Sequence, residues 1–134
     1  MFFRVSAFFG CVIFSTACRQ IDCKPDEFKG TYLSHYEETN GTCGPIPDSL
    51  VSDMTAQTAA PGCTVDANRV SDDQCTRETS AHCVLANGNT VLATGKTEQV
   101  EDDGSRLEGI VTYTISRAGI VLCQGTYEIT ATRQ

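Results

Sequence analysis

The chain has 134 residues, enough for one domain with a modest core, and it carries eight cysteines. Its formal net charge is −7 and its ten basic residues are scattered, which excludes a nucleic-acid binder, because neutralising phosphates needs clustered Lys and Arg. No Cys-x-x-Cys or His-x-x-x-His spacing occurs, so the common zinc sites are excluded as well, and no cofactor motif is present.

Residues 1–17 read as a signal peptide. Arg4 supplies a positive start, Val5 to Phe14 is apolar but too short to span a bilayer, and Ser15, Thr16 and Ala17 are small. Ser15 and Ala17 suit ordinary signal peptidase. The next residue is Cys18, and Ser15-Thr16-Ala17-Cys18 also resembles the lipobox of bacterial lipoproteins, with Ser15 where that pattern has Leu. Phe8-Phe9-Gly10-Cys11 is a poorer match. The lipobox resemblance implies that Cys18 is acylated and becomes the mature N-terminus. Parity points the same way. Lipidation at Cys18 leaves Cys23, Cys43, Cys63, Cys75, Cys83 and Cys123, an even set for disulfides; the other cuts leave an odd thiol. Arg19 follows the cysteine, where the resemblance would put Asp for inner-membrane retention, so it implies the outer membrane of a two-membraned envelope.

Residues 18–27 are polar and read as a lipid-anchored tether, and residues 28–134 as the β domain. Phe28 to Tyr36 predicts a first strand with Phe28, Tyr32 and Tyr36 on one face and His35 on the other. Glu37 to Pro47 predicts a loop punctuated by Asn40-Gly41, Pro45 and Pro47. Ser49 to Ala60 allows a capped helix but reads better as strand or loop. Cys63-Thr64-Val65 opens a short strand, Val70 to Cys75 an acidic turn, and Thr76 to Ala86 a strand closed by the hairpin signal Asn87-Gly88. Thr90 to Val100 predicts a strand and Glu101 to Ser105 a turn. Leu107, Gly109, Val111, Tyr113 and Ile115 then alternate with Glu108, Ile110, Thr112, Thr114 and Ser116. After Arg117-Ala118-Gly119 the same holds for Val121, Cys123, Gly125, Tyr127, Ile129 and Ala131, which predicts an apolar inner face and a threonine-rich outer one. Gly125 in mid-strand marks a bulge or bend. The expected fold is all-β, a small antiparallel meander forming a barrel or sandwich stapled by disulfides. The spacing leaves the pairings open, except that Cys75 and Cys83 cannot bridge along one strand: eight residues span about 26 Å and a disulfide allows ~6 Å.

Little here suggests catalysis, and the chain reads as a non-enzyme. There is no Gly-x-Ser-x-Gly, and the two histidines, His35 and His82, show no triad spacing. Glu37-Glu38, Asp72-Asp73 and Asp102-Asp103 read as solvated turn acids rather than a calcium loop.

Cys18, Gly30-Thr31-Tyr32, Thr42-Cys43-Gly44, Asp72-Asp73-Gln74-Cys75 and Cys123-Gln124-Gly125-Thr126-Tyr127 together resemble small cysteine-rich lipoproteins of bacterial envelopes, of the kind plentiful in myxobacteria. That resemblance implies an exported protein held on the membrane by its N-terminal lipid, serving as a binding or structural domain. Two alternatives stand beside it. One is a calycin-like carrier of a small apolar ligand, with Phe28, Tyr32, Tyr36, Tyr113 and Tyr127 lining a cavity; the other is an acidic inhibitor of a basic hydrolase.

Overall fold

The computed structural model describes residues 21–23, 27–56, 61–101 and 103–134. The leader with Cys11, the start of the tether with Cys18, and Asp102 of the predicted 101–105 turn lie outside them. A 3-10 turn at Glu27–Lys29 precedes seven strands: β1 (Thr31–Gly41), β2 (Ser49–Ser52), β3 (Cys63–Val70), β4 (Thr76–Val84), β5 (Thr90–Gln99), β6 (Arg106–Arg117) and β7 (Ile120–Arg133). They form one antiparallel sheet in the order β2-β1-β7-β6-β5-β4-β3. Strands β3 to β7 are the predicted meander. β1 closes back on β7, and β2 and β3 are the two edges. The expected all-β antiparallel fold stapled by disulfides is what forms, as a sheet curled into a half-barrel.

One end explains the curl. Phe28, Tyr32, Met54, Leu107 and Ala131 form the buried core, and Val51 from one edge and Val70 from the other pack against it. Residues from opposite edges reach the same cluster only if the sheet bends. Removing such side chains from water gives roughly 1.5–3 kcal/mol each, which drives the bend. Polar bonds bridge the same gap: Asn68 Nδ2 on β3 donates to the carbonyls of Met54 (3.1 Å) and Ala56 (3.2 Å), just past β2, and Arg77 Nε donates to Asn68 Oδ1. Cys23–Cys75 pins the N-terminal approach at this lower end. The upper end, where the β4–β5 and β6–β7 hairpins turn, carries Cys43–Cys123 and Cys63–Cys83. Cys75 and Cys83 stand at the two ends of β4, as the strand-length argument requires.

Several sequence expectations change. β1 does not stop at Tyr36 but runs to Gly41, because β7 offers Glu128 to Gly125 as partners for Glu37 to Gly41. Glu37 and Glu38 are therefore strand residues on opposite faces rather than turn acids. β3 extends to Val70, carried past Asp66 by a bulge between Val65 and Ala67. Val121 was expected on the inner face. A register shift between Ile115 and Ser116 pairs it with Ser116 instead, and it is 58% exposed. No bulge falls at Gly125; the irregularities lie at Thr39 on β1 and at Leu122, three residues earlier on β7. Gly125 itself is kept side-chain-free by Tyr127, whose ring would lie 2.7 Å from an added Cβ.

Candidate functional site

Strand alternation brings Tyr32, Tyr36, Tyr113 and Tyr127 to the inner side of the sheet; Phe28, expected at the start of the first strand, lies instead in the 3-10 turn, and the five aromatics fall into two groups. Phe28 and Tyr32 fill the lower core. The Tyr32 hydroxyl is within 2.8 Å of the Glu27 carbonyl and 2.7 Å of the Gly104 carbonyl, and it accepts from Arg133 Nη2 at 3.1 Å. Arg133 also pairs with the Glu27 carboxylate and stacks its guanidinium 5.5 Å from the Tyr32 ring centre. Burial works against the Arg133 charge, but hydrogen bonds to Glu27 and Tyr32 outweigh it, and its pKa is raised. Burial likewise raises the Tyr32 phenol. This knot ties the start of the domain to its last strand and to the β5–β6 turn; it is packed structure rather than an open cavity.

Tyr36, Tyr113 and Tyr127 make the second group. Tyr113 and Tyr127 meet edge to face, with centres 5.7 Å apart at 72°. Tyr127 Oη donates to the Gly44 carbonyl at 2.7 Å, so the loop after β1 folds over the ring and buries it. Tyr36 shares a hydrogen bond with Ser49 at 3.2 Å. Burial, with Tyr36 and Tyr127 close by, pushes the Tyr113 phenol up to about 12. Tyr36 and Tyr113 are half-buried, as are Val91, Ala93 and Ile115, which share the inner face. The upper half of the trough is therefore apolar and only partly filled.

The outer face differs in character. A depression of about 470 Å³ lies around Lys96, Glu98, Glu108, Ile110, Glu128 and Thr130, and a neighbouring one of about 530 Å³ continues it to Arg69 and Glu78. Neither includes any of the five aromatics. His35 hydrogen-bonds with Asp48 and His82 with Asp66, each at 2.8 Å and each well exposed, and among the described residues neither pair has a nucleophile beside it in the way a triad needs. Asp73 and Asp103 accept from Ser71 and Ser105 inside their turns, and those bonds lower both pKa values. Among the described residues no three His, Cys, Asp or Glu side chains group as metal ligands.

One feature escaped the sequence reading. Ile120, Val121 and Leu122 are all exposed at the upper rim, beside Val84 and Leu85 of the neighbouring hairpin. Its signal was present: three consecutive apolar residues break the period of two in β7, which a strand with one buried face does not do without a bulge. Arg117 joins the two hairpins, with Nε donating to Asn89 Oδ1 at 2.8 Å and Nη2 to the Asn87 carbonyl at 3.0 Å.

All six described cysteines are paired, which is consistent with an exported, non-cytoplasmic protein. No protein-family model, curated protein or solved structure matches the chain.

Proposed function

We propose that the chain is a non-catalytic, lipid-anchored protein of the cell envelope, held in the outer membrane through Cys18, with its half-barrel serving as a binding or structural domain. The observation that carries this reading is the disulfide set. Cys23, Cys43, Cys63, Cys75, Cys83 and Cys123 satisfy one another, so the cysteine at the leader junction has no partner to find in the domain. The Cys23–Cys75 bridge supports this reading by fixing Cys23, five residues after Cys18 in the sequence, to the lower end. Mass spectrometry of the N-terminal peptide from envelope fractions tests it. A diacylglyceryl-modified Cys18 is expected; an unmodified Cys18 or another start refutes the anchor.

The half-buried Tyr36, Tyr113, Val91, Ala93 and Ile115 favour a second reading, a carrier of a small apolar ligand in the upper trough. Native mass spectrometry of protein purified from its own envelope would show a bound apolar molecule. A ligand-free mass after exposure to envelope lipid extract would remove this reading.

A further inference from the structure

We infer that the upper end of the half-barrel is a lipid-docking surface, with the β6–β7 and β4–β5 hairpin tips dipping into a bilayer. Ile120, Val121 and Leu122 are 68%, 58% and 54% exposed, and Val84, Leu85 and Leu92 are exposed beside them. Arg117 clamps the two tips together through Asn87 and Asn89, so the patch is pre-formed. It protrudes from turns instead of lining a groove, a shape suited to insertion between headgroups.

Charge distinguishes this end. Residues 39–47, 80–95 and 109–127 supply its strand ends and turns, and they contain one Lys, Arg, Asp or Glu, namely Arg117. None of the 17 acidic residues lies within these segments, in a chain of net charge −7, and two reach them from the side: Glu38, bonded to Gly44 N and Tyr127 Oη, and Asp66, bonded to His82. A strongly acidic protein is repelled by anionic surfaces through its carboxylates. This is an end it can present without opposing them. The acids of the lower turns are about 30 Å away along β4, beyond the ~8 Å over which such repulsion persists at physiological salt.

The tether geometry is compatible. Cys18 stands five residues before Cys23, at most about 17 Å of chain. With Cys23 held at the lower end, that length cannot bring Cys18 to the tips, but it lets the domain tilt until the tips touch the same bilayer. Acyl chains at one end and aliphatic tips at the other would then lay the domain on the membrane. The docking does not rest on the anchor, so it is tested without it.

The test uses the exported, disulfide-bonded chain carrying Cys18→Ser, mixed with phosphatidylcholine vesicles and with vesicles containing a quarter phosphatidylglycerol, and read by co-sedimentation. The parent is expected to bind both. Binding to phosphatidylcholine should change less than about twofold between low and high salt, because insertion is apolar. Ile120→Asp with Leu122→Asp should weaken partition at least about tenfold, and Val84→Asp with Leu85→Asp on the neighbouring hairpin should weaken it similarly. Leu50→Asp, at a residue equally exposed on β2 but outside this end, should leave it unchanged. Circular dichroism checks that each variant is folded. No binding by the parent overturns the proposal, as do tip variants that bind like the parent or a Leu50 variant that loses binding. Steep loss with salt would assign any binding to headgroup charge and refute insertion. A dimer that the tip variants dissolve, without vesicle binding by the parent, would assign the patch to a second copy of the chain.

Discussion

Replacing Tyr32 by Phe removes one oxygen from the knot that joins the 3-10 turn, the β5–β6 turn and the end of β7. The ring stays, so packing is kept, and the loss can be assigned to hydrogen bonding. Tyr32 is fully buried. Its hydroxyl has one proton to give, to the Gly104 carbonyl at 2.7 Å with the Glu27 carbonyl at 2.8 Å beside it, and it accepts from Arg133 Nη2. Without it the Gly104 carbonyl loses that donor, and no water replaces the hydroxyl if the site stays closed. An unsatisfied buried group costs about 1–3 kcal/mol, and Arg133 retains Glu27, so we expect about 2 kcal/mol. That is a large share of the roughly 5–15 kcal/mol that holds such a domain, and it corresponds to a fall in Tm of the order of 8 °C. Urea unfolding of the oxidised protein, followed by far-UV circular dichroism, measures it as a shift in midpoint at unchanged slope. A double-mutant cycle with Arg133→Met should show a coupling above about 0.5 kcal/mol. A Tyr32→Phe variant within about 0.5 kcal/mol of the parent, or one additive with Arg133→Met, would refute the reading of this knot as a buried, mutually dependent network.

Gly109→Ala should destabilise by about 2–3 kcal/mol or more, since the added Cβ would lie 2.0 Å from the Lys96 carbonyl oxygen and 2.8 Å from the Thr97 Cα, both backbone atoms of β5. Gly88→Ala, at φ +82° with open space, should cost only about 1–2 kcal/mol in urea unfolding, and the reverse order would contradict the strand packing. Removing Cys63–Cys83 by paired Ala substitutions should cost about 1 kcal/mol less than removing Cys43–Cys123, because the bridges close chain separations of 20 and 80 residues; equal costs would show that chain entropy does not govern these staples. Tyr32, Tyr113 and Tyr127 all have phenols raised by burial, Tyr113 to about 12. Above pH 10 the unfolded chain ionises while the folded one resists, so stability is full below pH 10 and falls between pH 10 and about 12; Tyr113→Phe should flatten that decline in pH-jump unfolding curves.

The meander from β4 to β7 was legible because its signals are local. Strict alternation through residues 107–116 sets which side chains share a face, and Asn87-Gly88 and Ala118-Gly119 carry the backbone freedom their turns need, with Gly88, Ala118 and Gly119 at positive φ. The aromatic side chains could likewise be assigned to one face. Their division into a packed lower group and a half-open upper one could not, since it depends on which loops cover them. Tyr127 is buried because Gly44 sits over it, and Phe28 because Met54 and Leu107 reach it.

By itself the sequence determined an all-β chain, its hairpins, an apolar inner face and a cysteine count suited to disulfides, all properties of neighbouring residues along the chain. Tertiary structure decided the rest. Docking of β1 on β7, across a separation of about ninety residues, lengthened β1 into what reads as loop. Proximity in space chose Cys23–Cys75, Cys43–Cys123 and Cys63–Cys83 from many pairings. A single register shift beside Ile115 turned Val121 from an inner residue into part of an exposed rim. Each outcome rests on contacts between distant segments, whose free energy is set by how the whole sheet curls and which edges it brings together.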